Sequence, residues 1–101
     1  MFIYNVTIKV SYDIHDAWLK WMQNEHMPEV VGTGCFTHSQ LLRLLEVDET
    51  DGLTYAAQYF AESKSLYNQY ISIFSEELRT KGLEKWGDKF VAFRTVMQIV
   101  Q

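Results

Sequence analysis

The 101-residue chain is long enough for one domain and too short for two. Its 48% hydrophobic and 15% aromatic content can build a packed core and excludes intrinsic disorder, while a charge of −4 speaks against an electrostatic grip on nucleic acid or anionic lipid. The lone cysteine, Cys35, excludes an internal disulfide and a cysteine-based zinc site.

The segment Phe2 to Val10 alternates, with Phe2, Tyr4, Val6, Ile8 and Val10 on one face, which predicts a strand with an apolar side. Ile14, Ala17, Trp18, Trp21 and Met22 then recur at helical spacing. They predict a helix over about 13–26, with Asp13 as its N-cap and Pro28 as its latest stop. Phe36 to Val47 and Leu53 to Phe60 read as strands joined by the polar loop Asp48-Glu49-Thr50-Asp51-Gly52, a hairpin. A second helix is predicted from about Ser63 to Arg79, closed by Gly82 in a left-handed cap. Lys89 to Val100, β-branched and aromatic, predicts the last strand.

The order β-α-β-β-α-β predicts an α+β fold of the ferredoxin-like type, one domain over residues 1–101. Its four-stranded antiparallel sheet carries both helices on one face. Tyr4, Val6 and Ile8 are expected to meet the helices. The other face would show apolar groups on strands two to four beyond what a monomer usually carries. A second copy of the same sheet is the economical cover, which makes a homodimer the expected partner. Asn5, Thr7, His38, Gln40, Gln58 and Arg94 are the candidates for the space between the two sheets. One bulge would turn strand two or three over and change that set.

The pattern Trp18-x-x-Trp21-Met22-x-x-x-His26-x-Pro28-Glu29, followed by Thr33-Gly34-x-Phe36, resembles the dimeric α+β barrel superfamily. With Phe90-Val91-Ala92-Phe93-Arg94-Thr95, the whole chain is similar to an uncharacterised bacterial domain family of unknown function. The resemblance implies paired sheets that often hold a small molecule. Its more distant relatives include cofactor-independent monooxygenases, small isomerases and ligand-binding barrels. No full catalytic set of those enzymes matches positions here, and one fold hosts many functions.

Two histidines are the candidate catalytic groups. His26 shares the apolar face of the first helix and suits either a general base or a bond to the free carbonyls at the helix end. His38 lies mid-strand, as a base or as a satisfied interface residue. Arg94 suits a bound carboxylate or an ion pair with Glu46. Asn5, Thr7, Gln40, Gln58, Arg94 and Trp21 are the candidate ligand contacts, Trp21 as an aromatic at a pocket mouth. His26, Glu29 and His38 are the one metal set worth weighing, and without an i, i+4 histidine pair none is assigned. No Gly-rich loop follows strand one, so no cofactor is expected.

Strand three lacks the basic-glycine start of an RNA-recognition sheet, so no nucleic acid is expected as a partner. No apolar run nears the ~20 residues of a membrane span, and the N-terminus lacks a signal-peptide pattern, which together predict a cytoplasmic location without a membrane partner. The reading is a homodimeric barrel that binds a small, partly apolar molecule between its sheets or serves as an interaction module. The alternative is a small cofactor-independent enzyme, monooxygenase- or isomerase-like, with a histidine base.

Overall fold

A computed structural model describes residues 1–101. Strand β1 (Phe2–Ser11) enters helix α1, which runs over residues 15–32. Strands β2 (His38–Arg43) and β3 (Gly52–Ala61) form the hairpin. Helix α2 runs over residues 64–86, and strand β4 (Phe90–Gln98) ends the fold. The sheet order is β2-β3-β1-β4 and every pairing is antiparallel, as the βαββαβ order predicts. No helix is long and apolar enough to cross a membrane.

Helix α1 does not stop at Pro28. It passes from an α segment (His15–Trp21) through a π segment (Met22–His26) into a second α segment (Met27–Gly32). The Met27 N–H donates to the Met22 carbonyl, five residues back, and Met27 keeps helical dihedrals. The wider turn accommodates the proline ring that an α-helix of normal pitch rejects. Asp13 does not cap this helix: its carboxylate pairs with Lys89 Nζ at 3.0 Å and so ties β4 to the helix start.

Helix α2 has the same construction, with α segments Lys64–Gln69 and Ser75–Trp86 around a π segment Tyr70–Phe74. Ser63 caps it by accepting from the Leu66 N–H at 3.1 Å. Gly82 is not the C-cap. It lies inside the helix, where a Cβ would stand 3.5 Å from the Trp21 ring, in ordinary contact with it. Gly87, with φ of 60°, closes the helix instead.

The core lies between the helices and one sheet face. Tyr4, Val6, Ile8 and Val10 of β1 and Tyr55, Ala57, Tyr59 and Ala61 of β3 are buried there against Trp18, Met22, Tyr70 and Leu78. Strand β2 is shorter than its apolar pattern. Phe36 is buried in the core ahead of the strand, while His38 and Gln40 beyond it are exposed. The parity therefore breaks at Thr37, and the strand ends at Arg43, ahead of Glu46, which lies in the left-handed region in the hairpin loop.

Candidate functional site

The polar candidates of the sequence fall on two sides of the sheet. On the face without helices, one hydrogen-bond chain crosses all four strands. Gln40 Nε2 donates to Gln58 Oε1 at 2.8 Å, and Gln58 Nε2 donates to Asn5 Oδ1 at 3.2 Å. Asn5 Nδ2 in turn reaches Thr7 Oγ1 at 3.1 Å and Thr95 Oγ1 at 3.3 Å. His38 flanks the chain, stacked on Phe60 with ring centroids 4.3 Å apart, and its Nδ1 lies 2.7 Å from Thr37 Oγ1. These amides satisfy one another, so nothing among them calls for a ligand.

Arg94, expected among them, is on the opposite face. It is paired with Val6, whose side chain packs under the helices, and the two share that side of the sheet. Its Nε donates to Tyr4 Oη at 3.2 Å, and Glu46 is not its partner. His26, Glu29 and His38 do not converge either: His26 is on the helix side, His38 on the other, and Glu29 pairs with Lys81 Nζ at 2.9 Å.

His26, Trp21 and Arg94 instead meet at a cavity of about 60 Å³ between the helices and the sheet. Thirteen of its 17 lining residues are hydrophobic, so an occupant must be largely apolar. Both π segments border it, through Met22 and His26 on α1 and Tyr70 on α2. Such widened turns displace side chains from helical register and recur at functional sites. Trp21 stacks on His26 at 4.6 Å and meets Trp86 edge-on at 5.9 Å. An occupant of more than a few heavy atoms must displace one of these indoles.

Two residues that line the cavity each carry a buried polar atom without a partner, His26 Nδ1 and Trp86 Nε1. Leaving such groups unbonded costs about 1–3 kcal/mol each, and a shift of either ring toward the cavity would let a partner there recover it. Also in the lining, Tyr4 Oη accepts from Arg94 and, at 3.4 Å, from Arg79 Nη2. The sequence reading missed Arg79 and the Tyr4 hydroxyl. Their signal was present: Ser75, Leu78, Arg79, Gly82 and Trp86 recur at helical spacing, and a buried tyrosine needs a partner for its hydroxyl.

Burial lowers the His26 pKa to about 4, with Glu29 opposing and Arg94 and Lys81 assisting the shift. The imidazole is neutral at pH 7, which favours a hydrogen-bonding role over that of a strong base. The unfolded chain binds a proton at His26 near pH 6.5, whereas the folded chain does so only near 4. This contribution to stability is therefore complete above pH 6.5 and is lost as the pH falls toward 4. Between pH 7 and 5 the protein should lose about 2 kcal/mol more than His26→Gln does, as read by urea unfolding. Parallel losses in the two proteins would refute the buried neutral state.

The strand order and the two helices on one face of the sheet define a ferredoxin-like α+β fold. The chain is similar to a solved structure from Bacillus halodurans titled as an ethyl tert-butyl ether d (ethd) family protein. The two share 13% identity over 99% of this chain and 100% of that one, with a TM-score of 0.62. At that identity the likeness establishes the fold. No curated protein matches the chain. A model of the DUF4286 family, a domain of unknown function, matches residues 1–100, and the chain belongs to that family.

Proposed function

We propose that residues 1–101 act as one domain that binds a small, partly apolar molecule in the helix-side cavity, and that two copies pair through their open sheet faces. The observation that carries the binding reading is the pair of unpartnered polar atoms, His26 Nδ1 and Trp86 Nε1, on side chains lining a mostly apolar cavity bordered by two π segments. This moves the binding site from between the sheets to between sheet and helices. His26, Trp21 and Arg94 remain site residues on this reading. Asn5, Thr7, His38, Gln40 and Gln58 become residues of the contact between the two copies. Their mutual hydrogen bonds support that role, because a satisfied network loses little when water leaves it.

Native mass spectrometry of the purified protein at micromolar concentration tests both halves. The expected result is a dimer that carries one added small mass per chain, released on denaturation. A folded monomer would overturn the pairing. A dimer that never carries an added mass favours a plain interaction module, with the cavity left to solvent. The enzymatic reading, with His26 as base, draws support only from its free Nδ1. Its lowered pKa gives it little driving force to take a proton at pH 7.

A further inference from the structure

We infer that the molecule held in the cavity is a monocarboxylate, its apolar body among the indoles and phenols and its carboxylate at the Arg79–Arg94 end. The inference rests on the cavity being a binding site and adds the chemical class of its occupant. The cavity wall contains Arg79, Arg94 and His26 and not one aspartate or glutamate, although the chain carries thirteen acids. Neither arginine takes part in any of the four ion pairs, which join His15 to Asp16, Arg43 to Glu49, Lys81 to Glu29 and Lys89 to Asp13. Both instead donate to one neutral oxygen, Tyr4 Oη, at 3.4 and 3.2 Å.

Two guanidinium groups drawn to one phenol repel each other, and each keeps donors that face solvent and are open to a ligand. A carboxylate supplies both the missing negative charge and two oxygens that match the planar fork. One charge is what the site can hold. The remaining wall is mostly apolar, and burial raises the pKa of Tyr59 and Tyr70, so these phenols stay protonated and contribute no charge of their own. A second anionic group would find no further cation in the wall, because His26 is neutral there. A polyanion such as a nucleotide would leave charge unpaired in that apolar space.

The test titrates two acid–amide pairs, benzoate against benzamide and hexanoate against hexanamide, and follows the three tryptophan indole N–H signals by NMR. Each acid is expected to bind at least tenfold more tightly than its amide. Arg94→Gln and Arg79→Gln, both on exposed side chains and checked for folding by thermal melting, are expected to erase that preference while the amides still bind. Equal binding of acid and amide to the unaltered protein would overturn the carboxylate and leave the cavity reading standing. Signals unmoved by all four compounds would overturn both. A preference that survives both substitutions would also overturn the proposal, because the charge would then be read elsewhere.

Discussion

Trp18→Ala is expected to lower the free energy of unfolding by about 3–5 kcal/mol, a large share of the ~5–15 kcal/mol that holds a domain of this size together. Trp18 is 2% exposed, packs against the Tyr55 ring at 5.3 Å, and forms part of the cavity wall. Its loss removes the transfer energy of an indole and leaves a hole that the β-sheet cannot collapse to fill. The hole would be continuous with the existing cavity, so the variant should bind free indole more tightly than the parent protein does. At ten times its Kd, indole should return about 1.4 kcal/mol by mass action. Urea unfolding with and without indole measures both effects. A loss below about 1 kcal/mol would mean that the core does not depend on this side chain.

The same helix shows where sequence reasoning succeeds and where it stops. Alternation in β1 and the helical spacing of Trp18, Trp21 and Met22 are consequences of burying one face, and the structure buries those faces. The π segments leave no such mark, because an i→i+5 bond changes the register by one residue while the apolar stripe on either side persists. Pro28 therefore looked like a stop, and is instead carried through by the turn ahead of it. Gly82 looked like a cap because Arg79 and Lys81 precede it as a helix C-terminus would have them. It instead lies mid-helix beside Trp21, a residue 61 positions away in sequence that local patterns cannot report. Arg94 illustrates the third limit. Alternation groups the residues of one strand but does not say which group faces the helices, and only the pairing of Arg94 with Val6 decides it.

On the proposed pairing of two copies through their open sheet faces, Phe93→Asp is expected to leave a folded monomer, raising the dissociation constant roughly 30- to 1,000-fold, the effect of losing one central side chain worth about 2–4 kcal/mol. Phe93 is 63% exposed on β4 and is paired with Thr7, so it stands on the same open face as the chain of amides from Gln40 to Thr95. Val91 and Met97 share that side of the strand, both exposed. Four strands at about 4.8 Å spacing and about 30 Å length give a face on the order of 600 Å² in projection. That is close to the ~800 Å² of accessible surface that each partner of a stable complex covers. In a two-fold pair each substitution appears twice, and each new carboxylate would be buried against an apolar partner at a cost of several kcal/mol. The monomer should be spared, since an exposed side chain usually contributes within about 0.5 kcal/mol of stability. Ile73→Asp is the matched comparison: Ile73 is also 63% exposed, but lies on helix α2 and away from the open sheet. Sedimentation velocity should show a monomer for Phe93→Asp and an unchanged dimer for Ile73→Asp. The reverse outcome would place the contact between copies on the helices, and the amide chain across the sheet would then face water.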